Sequence, residues 1–204
     1  MPAPLQIGLY VFDQVEVLDF AGPYEVLTTA ARVHGRQAPA GVPPLFEVRT
    51  LGRTRAPVRA RAGLKIEPDA SLSEHPPLDG LIVPGGVVTA ELDKPDVIAW
   101  LQAQCAAVPL VASVCTGAFL LAKTGCLDGL EATTHWEDVE DLRRTFPAVT
   151  VREGVRWVDQ GRFVTSAGIS AGIDMALHLV ERLHSRELAE RTARQMEFDW
   201  VENG

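Results

Sequence analysis

The chain has 204 residues, 47% hydrophobic and 23% charged, which suits a single globular domain spanning 1–204 with a sizeable core. Its 27 acidic residues outnumber 19 basic ones, for a formal net charge of -8, so no basic footprint invites a nucleic acid. No apolar run approaches the roughly 18 residues of a membrane span, and no basic stretch opens the chain as in a signal peptide. Three cysteines without a C-x-x-C pair suit neither a disulfide framework nor a structural zinc site, which points to a reducing cytoplasm.

In chain order, Leu5 to Phe12 is almost wholly apolar and predicts a central strand buried on both faces. A helix follows over 21–34, with Pro23 in its first turn. Residues 45–51 predict a second strand, and 56–67 a β-hairpin excursion around Gly63. The five arginines between Arg49 and Arg61 alternate with Pro and Gly and read as a solvated edge. Leu81–Val83 is a third strand ending in Pro84-Gly85-Gly86. Pro95 opens a helix that runs to about Ala107 and carries Ile98, Leu101 and Cys105 on one apolar face.

The next segment is the most informative. Pro109–Val114 is a short β-branched run, a buried strand, and Thr116–Lys123 is a helix stopped by Gly125. Cys115 therefore sits on a sharp strand-to-helix turn, the geometry of a nucleophile elbow. Helix N–H groups pointing at the sulfur should favour the thiolate, below the usual thiol value of about 8.5. Cys105 reads as core, and Cys126, just past Gly125, as structural.

Beyond the elbow, 136–146 predicts a charged helix stopped by Pro147. Strands follow at 149–152 and 156–165, the second bent at Asp159-Gln160-Gly161. Ser170 is placed to cap a helix carrying Ile173, Leu177, Val180 and Leu183, and a final helix covers about 186–199. This alternation predicts an α/β fold of the flavodoxin-like kind, a doubly wound, mostly parallel sheet with helices on both faces. Ligands of such sheets bind outside the carboxyl ends of the strands. Asp19, Gly85-Gly86, Cys115 and Ser166-Ala167-Gly168 all fall at that edge. Asp19 has a second reading as the N-cap of the helix over 21–34.

Five segments together carry a resemblance: Val17–Pro23, Val83–Gly86, Ser113–Ala118, Ala132–Trp136 and Ser166–Asp174. In this order they are similar to the ThiJ/PfpI superfamily, which has the class I glutamine amidotransferase-like fold, and most of all to its isonitrile-hydrating branch. The resemblance implies Cys115 as nucleophile and Asp19 as its acid/base partner. Thr116 would supply a backbone N–H and its hydroxyl, and Gly86, with Gly85, a second backbone donor of the oxyanion-hole kind, with Gly168 beside them. It also implies a homodimer acting on a small molecule, with no cofactor, metal, nucleic acid or membrane.

Two departures separate this chain from other branches. The protease-like branch keeps a histidine directly after its cysteine, where this chain has Thr116. The glyoxalase and deglycase branch usually carries glutamate at the Asp19 position; its histidine corresponds loosely to His135, which also reads as a structural residue packed beside Trp136. The same motifs occur in the sensor halves of AraC-type regulators, which continue into a helix-turn-helix domain. The sequence stops at Gly204 without room for one, so a sensor reading implies a small-molecule or redox module that does not read DNA itself.

Overall fold

The computed structural model describes residues 3–39 and 41–203. Strand β1 (Leu5–Tyr10) leads into helix α1 (Val17–Gly35) and strand β2 (Phe46–Gly52). The two-residue strands β3 (Val58–Arg59) and β4 (Lys65–Ile66) form an antiparallel hairpin, followed by β5 (Ala70–Ser71). Then come β6 (Gly80–Val83), the short α2 (Thr89–Leu92), α3 (Pro95–Ala107), β7 (Leu110–Val114) and α4 (Gly117–Lys123). Strand β8 (Glu131–Ala132), a 3-10 turn at Trp136–Asp138, α5 (Val139–Thr145) and β9 (Thr150–Val151) follow. The hairpin β10 (Trp157–Gln160) and β11 (Phe163–Ser166) precedes α6 (Ala171–Leu183) and α7 (Arg186–Gln195).

Seven strands form the main sheet in the order β10-β11-β7-β6-β1-β2-β5. All its pairings are parallel except β10 with β11. Strands β6 and β7 are buried along their whole length. Apolar side chains on both faces explain this, because each face must be covered by helices. Helices α1, α6 and α7 pack together in one layer, and α2, α3 and α4 in another. This is the doubly wound arrangement. β1 has β2 on one side and β6 on the other, so the winding reverses between β1 and β6. A crevice opens at such a reversal, outside the carboxyl ends of the strands.

Several boundaries differ from expectation. Helix α1 begins at Val17, not residue 21, so Pro23 lies inside it and Asp19 in its first turn. Proline has no N–H to offer the carbonyl four residues back, which here belongs to Asp19. Glu16 is the N-cap and makes no side-chain capping bond, so the N-cap reading of Asp19 fails. Ser170 precedes α6 but makes no capping bond. Its hydroxyl lies 3.5 Å from Arg156, whose guanidinium pairs with the buried Asp174. The expected strand at 149–152 narrows to β9, which pairs with β8 outside the main sheet. Helix α7 stops at Gln195.

The arginines at 49, 53, 55 and 59 are exposed as expected. Arg61 is exposed as well, and the β3–β4 hairpin that carries it docks on the loop before α1. The Arg59 N–H donates to Asp13 and the Arg61 N–H to the Val15 carbonyl. Among the described residues no helix is long and apolar enough to cross a membrane.

Candidate active site

Cys115 links β7 to α4 with φ of 57°, in the left-handed region that side-chain-bearing residues avoid. Two bonds hold it there. Its N–H donates to the Ser166 carbonyl at 3.1 Å, and its carbonyl accepts from the Thr134 hydroxyl at 2.9 Å. Such strain costs about 1–2 kcal/mol and persists only where surroundings over-determine it. Glycine occupies this conformation freely. Cys115→Gly should therefore be about 1 kcal/mol more stable than Cys115→Ala, although both lack the sulfur. Urea denaturation of the two variants checks this; an alanine variant at least as stable would show that the turn is unstrained.

Asp19 projects from the first turn of α1 and is fully buried. Its Oδ2 accepts the Gly85 N–H at 3.0 Å, while Oδ1 is buried without a partner. Burial is the main cause that pushes its pKa up to about 7, against the Gly85 bond, which lowers it. Burial, then the nearby Asp19 charge, pushes the Cys115 thiol up to about 12, opposed by the Thr116 N–H and hydroxyl. This reverses the expected lowering: α4 is only seven residues long, and desolvation outweighs its N–H groups. Below about pH 7 both groups are protonated, and above it the two hold one proton between them.

The Thr116 hydroxyl and the two glycines are bonded to one another and to Asp19. The Gly86 N–H donates to the Thr116 hydroxyl at 2.9 Å, and that hydroxyl lies 2.9 Å from the Gly86 carbonyl. With the Gly85 N–H given to Asp19, neither glycine keeps a free backbone donor for a substrate oxyanion. They build the wall instead. Gly86 has φ of 136°, and a Cβ there would lie 2.2 Å from the Gln14 carbonyl oxygen. At Gly168 a Cβ would lie 2.3 Å from the His135 ring and 3.0 Å from the Cys115 sulfur. Only a residue without a side chain lets the histidine and the sulfur approach from one side.

The resulting cavity, about 210 Å³, is lined by Cys115, Thr116, Gly86, His135, Glu16 and Arg61, with Glu137, Asp138 and Ile169. His135 lies in two settings at once. It starts the 3-10 turn with its ring 5.7 Å from Trp136, and it also lines the cavity. Sequence reasoning missed Glu16 and Arg61, paired at 3.0 Å across the mouth. Arg61 was hidden because its hairpin meets Glu16 only through the docking of one loop on another. The Thr134 hydroxyl lay within a quoted motif, but its bond to Cys115 is a tertiary contact. Among the described residues no cluster of three or more His, Cys, Asp or Glu is arranged to hold a metal ion.

A doubly wound sheet carrying a strained elbow cysteine against a buried carboxylic acid defines a class of cysteine-centred α/β proteins. The DJ-1/PfpI family model matches residues 6–182, and the chain belongs to this family. An isonitrile hydratase of Pseudomonas putida is 35% identical over 195 residues, covering 95% of this chain and 78% of that protein. The HTH-type transcriptional regulator GbdR of Pseudomonas aeruginosa is 33% identical over 200 residues, covering 98% of this chain. The chain spans about half of that regulator's length, 52%. The crystal structure of a ThiJ/PfpI family protein from Pseudomonas syringae matches with a TM-score of 0.84 at 28% identity. That match covers 97% of this chain and 76% of the other.

Proposed function

We propose that this protein is a cysteine-dependent hydratase that adds water to an isonitrile and releases an N-substituted formamide. The observation that carries the reading is the Cys115–Asp19 pair, a strained sulfur beside a carboxyl group whose Oδ1 is buried and unpartnered. Similarity to the isonitrile hydratase over most of both chains supports it. The isonitrile carbon is attacked by sulfur once that carbon can take up a proton. The thiol proton passes to Asp19, which delivers a proton to the isonitrile carbon as the Cys115 sulfur forms the C–S bond, giving a thioimidate in which carbon is bonded to hydrogen, nitrogen and sulfur. Water adds to that carbon, the sulfur leaves with its proton restored, and the formamide results. No oxidant or reductant enters this balance.

The nitrogen substituent has room beside the sulfur. A groove of about 410 Å³ shares Gly86, Thr116 and Asp138 with the cavity and is walled by Val87, Val88, Leu92 and Phe119. That apolar wall favours an alkyl or cycloalkyl group. In this reading the protein works in the cytoplasm as a homodimer on a small-molecule substrate.

The test is steady-state turnover of a series of aliphatic isonitriles, with methylglyoxal and casein as the other arms. Turnover that is saturable and Cys115-dependent is expected for isonitriles alone. Casein should survive, because peptide cleavage needs a base that later protonates the leaving amine, and threonine cannot serve. Peptide cleavage abolished in both Cys115→Ala and His135→Ala would overturn this and assign the protein to the protease-like branch. A second reading, a sensor module that binds but does not turn over, is favoured by the similarity to the regulator. Saturable isonitrile binding by calorimetry without product would select it.

A further inference from the structure

The two cysteines outside the site lie together. Cys105, near the end of α3, and Cys126, just beyond α4, place their sulfurs 3.2 Å apart. Cys105 is buried and Cys126 half-buried, so the pair has one wet side. The Thr124 hydroxyl lies 3.9 Å from the Cys105 sulfur, and the Cys126 sulfur is 3.3 Å from the Leu121 carbonyl oxygen. A disulfide bond is about 2.05 Å long, so roughly 1 Å separates this contact from a covalent bond.

We propose that Cys105 and Cys126 form a peroxide-oxidisable dithiol that closes to an intramolecular disulfide, separate from Cys115. The Cys105 sulfur attacks one oxygen of hydrogen peroxide, the O–O bond breaks, and Cys105 sulfenic acid and water form. The Cys126 sulfur then displaces the sulfenic oxygen as a second water, and the S–S bond is made. Two electrons pass from the two sulfurs to one peroxide, and both thiol protons leave in the waters. The Cys126 sulfur within hydrogen-bond reach favours the Cys105 thiolate against burial, helped by the Thr124 hydroxyl and the Arg162 charge. The product ties the end of α3 to the segment leaving α4, the helix that begins beside the reactive sulfur.

The experiment treats the folded full chain with hydrogen peroxide near pH 7. It follows all three thiols by peptide mapping, with and without dithiothreitol. In the wild type, Cys105 and Cys126 should disappear at one common rate into a linked peptide pair that reductant restores. Cys115→Ser should lose both remaining thiols in the same way, with no cross-link between chains. Cys126→Ser should abolish the reductant-sensitive link at Cys105. The proposal is overturned if the pair stays reduced, or if Cys105 and Cys126 end as separate sulfinic acids. The wild-type and Cys115→Ser readouts leave the pair intact and do not depend on how Cys126→Ser folds.

Discussion

Cys115→Ala is expected to lower isonitrile hydration by about 10³-fold or more, and Asp19→Ala by about 10²–10⁴-fold. The double variant should be no worse than Cys115→Ala alone. The two side chains share a proton and act on one carbon, so removing the nucleophile leaves the acid nothing to assist. Independent groups would instead multiply their losses. Initial rates for the four proteins with a single isonitrile decide between these outcomes, and multiplicative losses would show that Asp19 acts elsewhere than on the Cys115 adduct. Circular dichroism and melting of Asp19→Ala complete the test. Asp19 caps no helix, so the fold should survive its removal.

A second large effect should appear in stability rather than rate. Asp19 has its pKa raised to about 7 in the fold, above the ordinary aspartate value of 3.8. Between those values the folded state binds a proton that the unfolded chain has released, so this group's contribution to stability falls as pH rises. Asp19→Asn keeps the shape and the acceptor for the Gly85 N–H but cannot ionise. Relative to wild type, the variant should gain about 3 kcal/mol on going from pH 4.5 to pH 8. The difference between the two proteins is the quantity to measure. His184, lowered by burial and by His34, works in the opposite direction on the wild-type curve. Urea midpoints at both pH values check it, and a pH-independent difference would mean that the buried carboxyl titrates as it does in water.

Much of the site was legible because it lies on short, strongly patterned segments. The β-branched run before Cys115 and the helix after it marked the elbow, and Pro84-Gly85-Gly86 marked the end of β6. Once strand alternation implied a doubly wound sheet, those ends had to share an edge. Asp19 was harder. Pro23 suggested a first turn, and the helix had to be read from Val17 to put the carboxyl inside the fold. Strands β5 and β8 and helix α2 were missed because two to four residues carry no period to detect.

The sequence by itself determined the architecture, the elbow and the set of residues at the carboxyl edge. Hydrophobic period and turn chemistry are local, and the winding of parallel strands leaves little further choice. Only the tertiary structure decided the sign of the Cys115 shift, since a local helix end argues for a thiolate and burial beside Asp19 argues against it more strongly. It likewise decided that the Gly85 and Gly86 N–H groups are already taken and that Arg61 meets Glu16. It also brought Cys105 to Cys126 across 21 residues of chain. Each of these depends on which atoms share a dry space, and desolvation and hydrogen-bond competition are set by distances between segments that no local pattern encodes.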